Sequence, residues 1–329
     1  MLRELRMPSR GGVAVVLALV AAAAPGASAC DVCAVYTATE LHERRAGFRI
    51  GASEQLSRFT TLQRGGDEVD NPAGERLTSS ITQVWLGYNF TPRLGIQANL
   101  PLVSRTFRRI EGGRRVDGDE TGIGDLVVVG QALAYSLVTE RSVLRFSVLG
   151  GAKFPTGDSG RLGEELAEDH HHDGHDHHGL ASGIHGHDLA LGSGSFDGVA
   201  GGQLFWSWQR LFVTAGGQYS IRTEGDFAYQ FADDLTWTGG PGVFALLTPT
   251  RTLAVQAVVS GETKGNDRVA GVQTTDTAIT ALYVGPGLAL TWGPSISAEI
   301  AADLPVVQHN TGLQIVPDFR LRGGASWRF

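Results

Sequence analysis

The segment Ser142-Val143-Leu144-Arg145-Phe146-Ser147-Val148-Leu149-Gly150-Gly151-Ala152-Lys153-Phe154-Pro155-Thr156 decides the fold. Leu144, Phe146, Val148, Ala152 and Phe154 fall on one parity, and Arg145, Ser147 and Lys153 on the other. Successive side chains of an extended chain point to opposite faces, so this is a strand with one apolar and one wet face. The alternation recurs near the C-terminus. Ile296, Ala298, Ile300 and Leu304 alternate with Ser297, Glu299 and Asp303, and Phe319, Leu321, Ala325, Trp327 and Phe329 alternate with Asp318, Arg320, Arg322 and Arg328.

Working outward, the chain reads as twelve such segments, near 46–60, 77–89, 93–107, 121–137, 142–156, 192–208, 211–224, 236–248, 252–263, 276–291, 295–307 and 316–329. The connections around Thr91-Pro92, Thr139-Glu140, Gln209-Arg210, Pro249-Thr250 and Gly293-Pro294 are short; 61–76, 108–120, 157–191, 225–235, 264–275 and 308–315 are long and polar. A soluble sandwich also alternates its faces, but its turn lengths need not alternate. An even strand count with short and long connections in turn predicts an all-β, antiparallel up-and-down barrel of about 12 strands in the bacterial outer membrane, with short periplasmic turns, long outer loops and both termini on the periplasmic side. Aromatics at the strand ends predict two girdles, one of Tyr88, Phe90, Trp206, Trp208, Phe212, Trp292, Trp327 and Phe329, the other of Phe59, Phe107, Phe154, Phe227, Tyr229, Phe231 and Trp237.

Residues 1–29 combine Arg3, Arg6 and Arg10 with an apolar run from Val13 to Ala24 and the small residues Ala27-Ser28-Ala29, the form of a secretory signal peptide. The run is too short for a spanning helix, which needs roughly 20 residues. The expected organisation is a signal peptide at 1–29, a periplasmic segment at 30–45 and the barrel at 46–329. Without residues 1–29 the chain keeps 24 basic against 33 acidic residues, a balance that speaks against a nucleic-acid partner. The 45 glycines favour many strands and tight turns over helices.

Several segments together resemble a broad family of bacterial outer-membrane proteins named for the phenol meta-cleavage pathway and usually described as transporters. The resemblance spans about residues 46–329 and is carried by Gly122-Ile123-Gly124-Asp125-Leu126, Lys153-Phe154-Pro155-Thr156-Gly157-Asp158, Gly192-Ser193-Gly194-Ser195-Phe196-Asp197 and Pro317-Asp318-Phe319-Arg320-Leu321. It implies a membrane barrel that passes a small solute. Two features depart from the family pattern: Cys30-Asp31-Val32-Cys33 and a histidine-rich loop.

That loop, 157–191, holds eight of the ten histidines: His170, His171, His172, His175, His177, His178, His185 and His187. With Asp173 and Asp176 they form a set of neutral imidazoles and carboxylates suited to divalent Zn, Cu, Ni or Co, in weak and multiple sites. The alternative is an acidic surface loop without ligands. Cys30 and Cys33 read as a disulfide, a redox pair or a soft metal site with His42, with lipidation of Cys30 as a further option; Ala34 does not support haem attachment. The wet parity places Arg145, Lys153, Arg222, Glu262, Glu299, Asp303, Arg320 and Arg322 along the lumen, either lining a narrow aqueous path or closing as a salt-bridged plug. Outside the loop only His42 and His309 could serve a hydrolase, so the expected role is not enzymatic. The expected partners are outer-membrane lipid and a small solute or metal ion. The competing expectation is a non-conducting barrel that buffers or senses metal at the surface.

Overall fold

The computed structural model describes residues 45–169 and 181–329. Twelve long strands form the wall: β1 Gly47–Arg64, β2 Arg76–Asn89, β3 Leu94–Glu111, β4 Leu126–Val138, β5 Ser142–Phe154, β6 Asp197–Trp208, β7 Leu211–Ile221, β8 Asp234–Leu247, β9 Arg251–Lys264, β10 Ile279–Trp292, β11 Ile296–Asn310 and β12 Leu313–Arg328. Each pairs with its sequence neighbours, and β12 closes on β1, from Arg49 opposite Arg328 to Arg64 opposite Leu313. No helix among the described residues is long and apolar enough to cross a membrane.

Closure leaves the side-chain parity as the barrel's inside and outside. Ile50, Leu86, Val148, Leu290, Ile300 and Leu321 are exposed on the exterior, while Arg49, Gln97, Lys153 and Glu262 are buried inside. An apolar exterior on a wall with no free edge is what hydrocarbon demands, because the bilayer core offers backbone groups no other hydrogen-bond partner. At the short-turn end Phe48 packs on Tyr88 at 4.7 Å, Trp327 on Phe329 at 4.6 Å, and the Arg251 guanidinium lies 3.9 Å over Trp292. This is an interfacial girdle, and the protein is an outer-membrane barrel.

Three of the short turns share one device. Thr91, Thr139 and Thr248 accept the N–H of Leu94, Ser142 and Arg251 at 3.0 Å each, so one hydroxyl closes each turn. Thr139→Ala should therefore cost about 1 kcal/mol of barrel stability, measured by denaturant unfolding in lipid vesicles, with no change in strand content.

The outer end differs from the expected strands in three ways. The expected loop at 108–120 is a hairpin: β3 runs on to Glu111, turns at Gly112-Gly113 in the left-handed region and returns as a strand, Arg114–Ile123. The expected strand 121–137 is thereby broken at Gly124-Asp125. Instead of a long connection at 308–315 there is a tight turn at Thr311-Gly312, with Gly312 at φ +61°. The segment 192–196 is loop, and β6 begins only at Asp197. The β11–β12 pairing reaches Asp303–Arg320 and no further; beyond it Gln308 Nε2 donates to the Pro317 carbonyl at 2.8 Å.

Candidate functional site

The long connection between β5 and β6 does not simply stand out from the barrel. Its described parts carry helix α1, Leu162–Asp169, and the short helix α2, Gly186–Leu189, and they turn apolar residues into the mouth. Ile184 and Leu189 pack with Leu62, Leu77, Phe107 and Ile315 of the wall, and Leu191 reaches Ile81 and Val103. Leu162 and Ala190 pack with Tyr229, Phe231 and Val269 from the next two outer connections. Three loops thus share one apolar core, which plugs the outer end. Gly186 permits the close approach of the two helices, since a Cβ there would lie 2.3 Å from the Arg161 carbonyl. Polar tethers add to the packing: Arg105 Nη1 donates to the Ala190 carbonyl at 2.8 Å, Arg109 pairs with Glu164 at 2.8 Å, and Arg161 pairs with Glu120.

Below the plug a row of charges of alternating sign crosses neighbouring strand ends. Asp125 precedes β4, Lys153 closes β5, Asp197 opens β6, Arg222 follows β7 and Asp234 opens β8. Lys153 Nζ lies 2.7 Å from Asp125 and 2.8 Å from Asp197, and also meets Ser193 Oγ. Arg222 donates to Asp197 at 3.0 Å and through Nε to Asp234 at 2.8 Å. Ser193 and Ser195 donate to Asp125 and Asp197, and the Gly157 N–H donates to Asp125 at 3.0 Å. All five charged side chains are 5% exposed or less, so each charge relies on these partners in place of water. Three of the sequence segments that carried the resemblance, around Asp125, Lys153 and Asp197, meet in this one knot.

A cavity of about 620 Å³ lies inside the barrel, from Ile81, which touches plug residue Leu191, to Pro92 and Arg93 at a short turn. Arg145, Glu262, Glu299, Asp303, Arg320 and Arg322 line it together with Leu149, Phe205 and Tyr283. Two bidentate pairs organise its charged side. Arg320 grips Glu262 at 2.7 and 2.8 Å, with the Tyr283 hydroxyl donating to the same carboxylate at 2.8 Å; Arg322 grips Asp303 at 2.6 and 3.0 Å. Lys153 and Arg222, read from parity as lumen residues, sit in the knot rather than on the cavity wall.

Of the histidine set, His170, His171, His172, His175, His177 and His178, with Asp173 and Asp176, lie outside the described residues, as do Cys30, Cys33 and His42. His185 and His187 are described, and they are not surface groups. His187 is buried, its Nδ1 2.8 Å from Glu165 Oε1 and its Nε2 3.5 Å from Asp188 Oδ1. Burial alone would pull the His187 imidazolium down, but Asp188 and Glu165 outweigh it and push the group up to about 10. Burial would likewise raise Glu165; the charge and hydrogen bond of His187, with His185 behind them, bring it down to about 2. The pocket is therefore one that holds positive charge.

Several aromatics expected in the girdles face inward. Phe107, Tyr229 and Phe231 belong to the plug, and Phe212 is buried against Phe205 and Phe244. For Phe107 and Phe212, parity rather than nearness to a strand end sets the face. Phe107 is in phase with the inward Arg105 and Arg109, and Phe212 with Gln218 and Ser220.

No protein-family model and no curated protein matches the chain. Among solved structures it is similar to an outer membrane channel from Pseudomonas putida F1, at TM-score 0.61 and 16% identity over 89% of this chain and 100% of that one. It is similar also to the β domain of the Bordetella autotransporter BrkA, at TM-score 0.42 and 11% identity over 86% and 100% of the two chains. A third likeness is to the translocator domain of NalP from Neisseria meningitidis, at 0.41 and 14% over 88% and 91%. The first of these shows the fold that the strand pairing describes: a closed, antiparallel, twelve-stranded barrel of the outer membrane.

Proposed function

We propose that this barrel is a channel or transporter for a small solute, and that its third outer loop gathers divalent transition metals such as Zn, Cu, Ni or Co at the mouth. The observation that carries the transport reading is the internal cavity, whose wall sets Leu149, Phe205 and Tyr283 beside paired arginines and carboxylates. Such a wall favours a solute with an apolar body and one polar or charged group. The metal reading rests on ligand density: six histidines and two aspartates between His170 and His178, beside the described His185 and His187.

A second reading has an observation of its own. The plug is tied to the wall by packing and by ion pairs, as would suit a non-conducting barrel that holds metal at the cell surface. Planar-bilayer recording separates the two. The transport reading expects brief, small openings from the purified protein, and a silent membrane at every voltage would favour the surface-buffer reading. Metal gathering is tested separately, by zinc stoichiometry of the wild type against a variant with His170, His171, His172, His175, His177 and His178 changed to Ala. Equal binding by both would remove those histidines from the proposal.

A further inference from the structure

His185, His187 and Asp188 form the one His/Cys/Asp/Glu group among the described residues whose donor atoms, one from each side chain, lie within 4.8 Å of one another. Nδ1 of His185 is buried without a hydrogen-bond partner among the described residues, and its nearest acidic neighbour, Asp188 Oδ2, is 3.9 Å away. A buried ring nitrogen that finds no partner is costly unless something occupies the space before it. His187 presents the complementary feature. Its Nδ1 is taken by Glu165 at 2.8 Å, which leaves Nε2 on the Asp188 side. A carboxylate that fixes one ring nitrogen so that the other faces an ion is the usual support of a histidine ligand. The two rings stack at 5.4 Å with 10° between their planes.

The geometry points to a fixed zinc site inside the plug, with His185 Nδ1, His187 Nε2 and the Asp188 carboxylate as ligands and Glu165 as the residue that positions His187. This rests on the reading of the loop as metal-gathering and goes beyond it, from weak multiple binding to one ordered site. Adjacent ligands of a tetrahedral zinc ion with N and O donors at 2.0–2.2 Å stand about 3.3 Å apart. The Nε2–Oδ1 separation of 3.5 Å is close to that already, and the 3.9 Å separation closes with a small turn of either side chain. Two imidazoles and one carboxylate suit zinc and leave one coordination position for water or an anion. The surroundings agree: Glu165 and Asp188 bring carboxyl groups to the His187 ring, and the nearby Lys264 is engaged by Asp267 at 2.6 Å. All three ligands lie within the segment bracketed by the buried Ile184 and Leu189, so the ion would tie the plug's second helix to its first through Glu165.

The test uses the purified full-length protein in detergent, with zinc alone as the probe, in the background lacking the six histidines at 170–178. One zinc ion per chain should remain after dialysis. His185→Ala and Asp188→Asn should each abolish it, and Glu165→Gln should weaken it by roughly 10- to 100-fold. Cobalt in place of zinc should give the strong visible absorption of a four-coordinate ion, lost in the same variants. Altered gel migration on heating identifies any variant that has failed to form the barrel. If the wild type binds zinc and the six-histidine variant binds none, the ordered site is refuted while the loop reading stands. Retained zinc that is indifferent to both His185→Ala and Asp188→Asn also refutes it. Equal stoichiometry in the wild type and the six-histidine variant, with loss on His185→Ala, would leave the ordered site standing and remove the cluster.

Discussion

Lys153→Ala is expected to lower barrel stability by about 3–5 kcal/mol, the usual cost of removing one partner from a buried ion pair. The size follows from what stays behind. Lys153 is 3% exposed and serves two carboxylates, Asp125 and Asp197, both inside the barrel wall. Asp197 keeps Arg222, but Asp125 keeps only hydroxyl and backbone donors from Ser193 and Gly157. The charge row depends on its alternation, and the substitution places two carboxylates side by side without the cation between them. Replacing both members, Lys153→Met with Asp125→Asn, should recover part of the loss, because the orphaned charge goes with its partner and the pair is not additive. Guanidinium unfolding of the vesicle-inserted protein measures both. Arg108→Ala is the contrast: its partner Asp117 is open to water, so that variant should unfold almost as the wild type does. A Lys153→Ala midpoint equal to that of Arg108→Ala would mean that water reaches the knot and the charges do not need one another.

The wall was legible in the sequence because a membrane barrel writes itself there twice, once in side-chain parity and once in turn length. The inward parity of Lys153, Arg145 and Arg322 needs only the period of two. The contents of the barrel follow neither rule. Leu162 and Ile184 stand among glycines and polar or charged residues, Leu189 opens only the three-residue run Leu189-Ala190-Leu191, and the plug assembles its apolar core from three separate loops rather than one periodic face. The stretch therefore reads as a polar surface loop until its folding is known. Asp125, Asp197 and Asp234 were missed for a related reason. Each lies at the boundary of a strand, where acidic residues are ordinary, and only the order of neighbouring strands places them beside Lys153 and Arg222. Their signal was present in a different form, since the segments around Asp125, Lys153 and Asp197 carried the resemblance. Phe107 and Phe212 show the reverse error, in which position along a strand was allowed to override parity.

Leu189→Ala should open the mouth while leaving the barrel intact. Leu189 is fully buried against Leu62, Leu77, Phe107 and Ile315, so truncation removes apolar contact and leaves a cavity, at a cost of about 2–5 kcal/mol. The wall does not share that cost, because its ladders run from strand to strand around a closed ring without the plug. The loss falls on the equilibrium between a seated and an unseated plug, shifting it roughly 30- to 4000-fold, at about 1.4 kcal/mol per tenfold. Single-channel recordings should then show longer or more frequent openings, and amides within 181–191 should exchange faster while those of the strands do not. Leu290→Ala, which shortens an exterior side chain facing lipid, should change neither. The two readouts decide different things. Faster exchange at 181–191 without added conductance would show that the plug had loosened and that the barrel below it is closed by its own paired charges, Arg320 with Glu262 and Arg322 with Asp303. Added conductance would place the barrier to the solute in the three loops that meet at Leu162, Tyr229 and Val269, and the cavity beneath them on the solute's path.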